Sequence, residues 1–300
     1  MTATIEPGSA QAWWLASRPQ TLWAAISPVA VGGALAADDG VWDTVTFLVV
    51  LVAAVAIQIG VNFANDVADA ATGADSEARI GPTRAVAAGL LTPKQVWQGI
   101  GVVFGLAIAC GIYLFVEAGP WILVIGAASL LAALGYTNGP VPYGYRGLGE
   151  VFVFVFFGLV ATAGTRFVFD GSTTAGAWVG GVSMGLLATA ILVANNYRDI
   201  ETDAAAGKRT LAVRIGRPAT RAVFAGCVVG GVVVCPLGII SGAMPDGAAL
   251  ALVALPLAVA PVRTLWSTTA GPPLIEVLKG SARLQAVVAA LLAVGIAGLG

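Results

Sequence analysis

The sequence predicts an all-α, polytopic membrane protein of nine spanning helices, and three observations carry that reading. Of the 300 residues, 58% are apolar and only 10% charged, against about 25% charged in an ordinary soluble domain. The apolar residues gather into nine runs, most of them near the roughly 20 residues a helix needs to cross hydrocarbon. No run alternates with period 2, which excludes a membrane β-barrel. With a mean hydropathy of +0.90, the chain lacks the polar residues to coat soluble domains. It reads as one integral-membrane domain over residues 1–300.

In order, the runs cover about residues 20–37, 44–64, 95–116, 119–135, 149–169, 176–197, 219–240, 248–266 and 283–299. The fourth and ninth are short. Pro28, Pro236, Pro256 and Pro261 lie inside runs and predict kinks that neighbouring helices must compensate. The Gly-xxx-Gly pairs Gly101/Gly105 and Gly181/Gly185 read as close helix packing. Arg18 stands directly before the first run with no cleavage site, so the start is not a secretory signal.

Charge sets the orientation. With the N-terminus cytoplasmic, every Lys and Arg except Arg166 falls on the inner side, while the outer loops carry Asp38, Asp39, Asp43, Glu117, Asp170 and Asp246. This is the positive-inside pattern of a multi-pass cell-membrane protein. The longer inner segments, 65–94, 136–148, 198–218 and 267–282, are where a site is expected.

Composition also limits the chemistry. There is no histidine, so bases and metal ligands must come from carboxylates, amides, Tyr, Lys and Arg. Cys110, Cys227 and Cys235 lie in apolar runs without ligand spacing and read as small core residues. A net charge of −1 gives no reason to expect nucleic acid.

Two acidic motifs stand out. The second run ends in Asn62-Phe63-Ala64-Asn65-Asp66-Val67-Ala68-Asp69, followed by Asp75; the sixth ends in Asn195-Asn196-Tyr197-Arg198-Asp199-Ile200-Glu201-Thr202-Asp203. Asp66 precedes Asp199 by 133 positions, and Asp69 precedes Asp203 by 134. Both motifs end an even-numbered helix on the same side, which suggests two related four-helix halves plus a ninth helix. If the helix continues past each run, Asn62, Asp66 and Asp69 share a face, as do Asn195 with Asp199 and Asp199 with Asp203.

Two such faces set against each other make a hard-oxygen site suited to Mg2+, which shares its coordination sphere with substrate phosphates. Acids at the C-terminal end of a helix oppose its dipole, so their recurrence there points to a function. Arg79 and Arg84 follow the first motif, Lys208 and Arg209 the second, and Arg146 lies between; beside a metal such cations complete a diphosphate cradle. A site of this kind at the membrane edge suits a substrate with a diphosphate head and an apolar tail. Tyr136, Tyr143, Tyr145 and Tyr197, near the inner ends, are candidates to face the carbocation left when diphosphate departs.

Over nearly its whole length the chain resembles the UbiA superfamily of intramembrane prenyltransferases. The acidic motifs carry the general likeness. The stretch Asn65-Asp66-Val67-Ala68-Asp69-Ala70-Ala71-Thr72-Gly73-Ala74-Asp75, running on to Arg79-Ile80-Gly81-Pro82-Thr83-Arg84, narrows it. So do Gly139-Pro140-Val141-Pro142-Tyr143-Gly144-Tyr145-Arg146-Gly147-Leu148-Gly149-Glu150 and Arg18-Pro19-Gln20-Thr21. These are similar to the 1,4-dihydroxy-2-naphthoate polyprenyltransferase branch.

The resemblance implies a bundle around a central cavity open to lipid and capped by the inner loops. It also implies Mg2+-dependent ionisation of a polyprenyl diphosphate, and transfer of the chain to 1,4-dihydroxy-2-naphthoate with loss of CO2, giving a demethylmenaquinone. By position, Asn65, Asp66 and Asp69 form one metal motif, and Asp199 with Asp203 the other. Asp75 is a more distant member, and Arg79, Arg84, Arg146 and Lys208 hold diphosphate. The chain departs from the pattern at Val67, where an aromatic residue is commoner. Rival readings are the same fold with another acceptor, such as 4-hydroxybenzoate, and a secondary transporter.

Overall fold

The computed structural model describes residues 5–72, 84–137 and 142–299, and among them only helices and turns occur. Helix α1 (Ala10–Ser17) starts at Ser9, whose hydroxyl accepts the Ala12 N–H. It runs through a 3-10 turn (Pro19–Thr21) into α2 (Trp23–Asp38), and the chain bends by 53° between the two arms. Arg18, at the bend, has φ +50°, the only non-glycine residue with positive φ among the described residues. A bulky residue placed there, and before a proline, stores strain.

Helix α3 (Thr44–Thr72) is followed by α4 (Pro93–Ala118) and the shorter α5 (Trp121–Gly135). Thr92 and Gln95 close a capping box at the start of α4. The next span, Gly149–Asp170, is built from α6 (Gly149–Val153), a π-helical segment (Phe154–Val160) and α7 (Ala161–Asp170). Then come α8 (Ala175–Arg198), the short α9 (Ile200–Ala205) and α10 (Leu211–Ile240). A 3-10 stretch (Asp246–Ala254) leads into α11 (Leu255–Ser267), and α12 (Pro273–Leu299) closes the chain. Among the described residues, seven helices are long and apolar enough to cross a membrane; the bent α1–α2 pair and the shorter apolar α5 accompany them.

Three helices outrun their apolar stretches, all at the Lys/Arg-rich end. Helix α3 continues to Thr72, α10 starts at Leu211 and α12 at Pro273. Once clear of hydrocarbon, Asp, Lys and Arg are compatible with helix, and neighbouring helices supply the packing that keeps the turns wound. The breaks also fall elsewhere than the prolines suggest. Pro28, Pro236 and Pro261 sit within assigned helices, and Pro256 lies in the first turn of α11. The interruption of α10 is at Gly216 (φ 74°, ψ 171°), two residues before Pro218.

Packing separates the two glycine pairs. A Cβ on Gly158 would meet the backbone of Gly181 and Gly185, so the π segment lies directly on α8. Gly101 and Gly105 face open space; the packing expected of that pair is not found. Helix α8 is the hub, 67% buried along its apolar window against 28% for α3 and for α4. Its Met184, Leu187 and Tyr197 join Phe224, Val228, Leu284 and Leu292 in the largest apolar core. Large apolar side chains elsewhere, such as Val102, Val116 and Ile240, stay exposed, as a lipid-facing surface requires.

At the opposite end, the exceptional Arg166 is buried in an ion-pair lock. Its guanidinium donates to Asp39 at 2.5 Å and to Asp170 at 2.8 Å. Two acids thus neutralise the single basic residue on that side.

Candidate active site

A cavity of about 540 Å³ opens among α2, α3, α5, α8 and α12. Along α3 its wall runs from Val50 to Asp69, about 28 Å at 1.5 Å per residue. The deep part is apolar (Val29, Val50, Leu114, Ile122, Val168), whereas the mouth carries Arg18, Asp69, Arg84, Asp199, Asp203 and Lys208.

Because α3 stays helical to Thr72, its acidic residues are held in a fixed array. Asp69 is the hub. Its Oδ2 accepts from Arg84 at 2.6 Å, and its Oδ1 accepts from Lys208 at 2.8 Å and from the Tyr145 hydroxyl at 3.0 Å. One carboxylate therefore ties α3 to the loop after it, to the 142–148 loop and to the loop after α9. Asn65 Oδ1 accepts from Thr137 at 2.8 Å. Asn62 Nδ2 donates to Ser17 O at 2.8 Å and to Thr21 Oγ1 at 2.9 Å, pinning the α1–α2 bend.

Asp66 does not line the cavity. Its Oδ2 accepts the Ala85 and Val86 N–H groups at 3.1 and 3.3 Å, which holds the returning loop, while its buried Oδ1 has no hydrogen-bond partner among the described residues.

The α8 motif is arranged differently. The helix ends at Arg198, Asp199 leaves helical geometry (φ −95°, ψ 10°), and α9 starts at Ile200. Arg198 grips Asp199 through two bonds of 2.6 Å, Nε to Oδ1 and Nη2 to Oδ2, and also donates to Asn195 Oδ1 at 2.9 Å. Asn195, Asn196, Asp199 and Asp203 all line the cavity. Asn196 Nδ2 donates to Glu150 Oε1 at 2.9 Å.

Aromatic rings form a continuous wall. Tyr136 meets Tyr143 edge-on at 5.5 Å, Tyr143 stacks on Phe152 at 3.9 Å, and Phe152 on Phe156 at 6.0 Å. The Tyr143 hydroxyl donates to Ala132 O at 2.5 Å. Tyr136 and Tyr143 lie outside the long spans, and burial raises both phenols far above the ordinary value. Tyr197 is not part of this wall. It is fully buried, donates to Thr268 O at 3.0 Å, accepts from Arg221 at 2.9 Å and lies under the Arg217 guanidinium.

The structure thus gathers Asn62, Asn65, Asp69, Arg84, Tyr136, Tyr143, Asn195, Asn196, Asp199, Asp203 and Lys208 around one cavity. Arg146 and Arg209 are exposed and off its lining. Asp75 and Arg79 lie outside the described residues. Sequence reasoning missed Arg18, Arg198, Glu150, Phe152 and Phe156. The Arg-Pro step and the Arg-Asp step carried a signal for the first two; nothing local marked the others.

Among the described residues no three acids stand together as a ready-made metal cluster. Asp69 and Asp199 instead take nearby cations and Asp66 takes backbone amides, since like charges in a low-dielectric site separate unless bridged. The donor chemistry still fits a hard divalent cation. Carboxylate and amide oxygens from both motifs share the mouth, and the buried, uncommitted Oδ1 of Asp66 lies just behind it.

Residues 25–273 match the model of the UbiA prenyltransferase family. The chain is 40% identical over 272 residues to the 1,4-dihydroxy-2-naphthoate octaprenyltransferase of Mycobacterium leprae, covering 89% of this chain and 90% of that one. The enzyme of the same description from Mycobacterium tuberculosis is also 40% identical, over 273 residues, with coverage of 89% and 90%. Among solved structures, a UbiA homologue from Archaeoglobus fulgidus bound to DMAPP and Mg2+ superposes with a TM-score of 0.65. It is 12% identical and covers 96% of this chain and 99% of that one. Fold, cavity and sequence agree: the chain is a multi-pass membrane protein that belongs to the UbiA prenyltransferase family.

Proposed function

We propose that the chain transfers a polyprenyl group from polyprenyl diphosphate to 1,4-dihydroxy-2-naphthoate, releasing diphosphate and CO2 and giving a demethylmenaquinol, the hydroquinone form of a demethylmenaquinone. The observation that carries this reading is one cavity, about 28 Å along α3, with an acid-and-cation mouth, an aromatic collar and an apolar shaft. The 40% identity to enzymes described as acting on that naphthoate supports the acceptor. In the same reading, α1–α2 and α5 also cross the bilayer, making nine spans in two related halves plus α12, and residues 1–300 form one domain. The Lys/Arg-rich mouth faces the cytoplasm across the cell membrane.

Asn65, Asp66 and Asp69 of the first motif, with Asp199 and Asp203 of the second, would hold Mg2+. Bound there, the metal neutralises charge growing on the departing diphosphate. Arg84 and Lys208, already poised on Asp69, hold the diphosphate oxygens and keep the C1–O bond at the mouth. As that bond breaks, its electron pair leaves with diphosphate. The Tyr136–Tyr143–Phe152–Phe156 wall faces the allylic cation with ring π-electrons and excludes water. The ring carbon that bears the carboxylate bonds to C1, and CO2 then leaves that carbon, its C–C bonding pair staying behind to restore the aromatic ring.

The test is product formation by detergent-purified protein supplied with the naphthoate and a polyprenyl diphosphate, with Mg2+ or with chelator. Mg2+-dependent prenylated product with released CO2 is the expected result. Product only from 4-hydroxybenzoate would overturn the acceptor, and none from either would overturn the reaction.

A further inference from the structure

From the corner where α6, α8 and the end of α5 meet, we infer that Asn196 is a hydroxyl-recognition residue for the aromatic acceptor and that Glu150 positions it. The inference rests on the prenyltransferase reading above and deepens it. Glu150 and Asn196 are each 6% exposed. Asn196 Nδ2 is committed to Glu150 Oε1 at 2.9 Å. The amide is thereby fixed: flipping it would set oxygen against oxygen. Among the described residues its Oδ1 receives no hydrogen bond; it is not one of the sealed-off polar atoms, and it belongs to a residue lining the cavity. It is therefore an oriented acceptor aimed at whatever occupies the space.

Position says what that occupant is. Asn196 precedes Asp199 by three residues on α8, about 4.5 Å further into the bundle. That is below the charged mouth that suits a diphosphate and above the apolar shaft that suits a prenyl tail. Tyr136, Tyr143 and Phe152 line the same cavity as Asn196, with Tyr143 stacked on Phe152 at 3.9 Å. The part of the cavity beside this wall is then the acceptor slot: aromatic rings suit a flat arene, and a neutral amide oxygen facing the same cavity selects an uncharged O–H donor, as on a hydroxyarene. Glu150 is behind this surface and off the cavity lining. Its backbone oxygen accepts from Thr189 at 3.4 Å, and its second carboxyl oxygen, Oε2, is buried without a partner. Among the described residues no cation pairs with it; it acts through Asn196.

The test is steady-state kinetics of the full chain in detergent, varying naphthoate, prenyl diphosphate and Mg2+ separately, with melting temperatures recorded for each variant. Glu150→Leu should raise the acceptor KM roughly tenfold, as for one lost oriented hydrogen bond. The KM for diphosphate and the half-saturating Mg2+ should move by less than about twofold. Glu150→Gln, whose amide oxygen still accepts from Asn196, should restore the parent KM. Asn196→Leu should match Glu150→Leu, and the double variant should be no worse than Asn196→Leu.

A raised Mg2+ requirement in Asn196→Leu would assign that oxygen to the metal and overturn the proposal. So would additive losses, a Gln variant as impaired as Leu, or equal rises in both KM values. If the parent shows no turnover, the prenyl-transfer reading fails separately. Equilibrium binding of naphthoate and of 4-hydroxybenzoate, followed by tryptophan fluorescence, then decides the slot. Binding weakened about tenfold by Glu150→Leu but not by Glu150→Gln sustains it, and no binding of either removes it.

Discussion

The two acidic helix ends occupy matching positions in the sequence, but the structure uses them differently. Helix α3 runs unbroken through its motif, and Asp69 reaches across to Arg84, Tyr145 and Lys208. Helix α8 stops at its motif, and Asp199 is held by its own neighbour, Arg198. One end binds loops together; the other is gripped by the residue beside it. The difference follows from burial. Helix α8, 67% buried, is fixed by packing and can let its chain turn at Asp199. Helix α3, 28% buried, needs its carboxylates to fasten the loops over the mouth. In both places cations offset the unfavourable meeting of acids with a helix C-terminus.

This contrast can be broken by substitution. The largest effects belong to Asp69→Ala and Asp199→Ala, each expected to lower turnover about 100- to 1,000-fold. They should separate in melting temperature: Asp69→Ala, which frees three partners, falls further than Asp199→Ala, and equal falls would erase the asymmetry.

Next, Lys208→Met should raise the KM for prenyl diphosphate roughly 10- to 100-fold through loss of a charged hydrogen bond. Arg146→Met and Arg209→Met should change it less than about twofold, since neither lines the cavity. Comparable losses in all three would mean that overall charge, rather than the Asp69 hub, holds the headgroup.

Phe152→Leu should slow turnover roughly 3- to 10-fold, the range of a desolvated cation–π contact, with the diphosphate KM little changed.

The smallest effect concerns α9. Arg217 donates to Glu201 at 2.5 and 2.7 Å and holds its carboxyl below the ordinary value. This pair contributes stability above the ordinary glutamate pKa, and the contribution is lost as pH falls through the lowered folded value. Thermal melts of the parent and Glu201→Gln should therefore differ slightly at neutral pH and converge in acid. The gap stays within a few tenths of a kcal/mol, because Glu201 is largely exposed.

What the sequence made legible follows from what is local. Apolar runs marked the helices because burial in hydrocarbon is a property of each segment alone. Asp69, Asp199, Asp203, Arg84 and Lys208 were visible because acids and bases are conspicuous at the end of an apolar run. Phe152 and Phe156 were not: a phenylalanine inside a span looks lipid-facing, and only the π turn against Gly181 and Gly185 shows which side it takes. Glu150 was hidden as one acid beside a glycine-rich loop, since its meaning depends on Asn196, 46 positions away. Tyr197, a candidate to face the carbocation, instead uses its hydroxyl to join α8 to Arg221 and to the end of α11.

The length of the shaft has a consequence for traffic. The wall along α3 ends about 28 Å from the mouth, so a prenyl tail that outreaches the cavity extends sideways between helices into lipid. Headgroup chemistry happens at one fixed point of the mouth while the tail stays in oil from arrival to departure. Both the prenyl donor and the finished product then come and go by diffusion in the plane of the bilayer, and only the small, polar partners are exchanged with water.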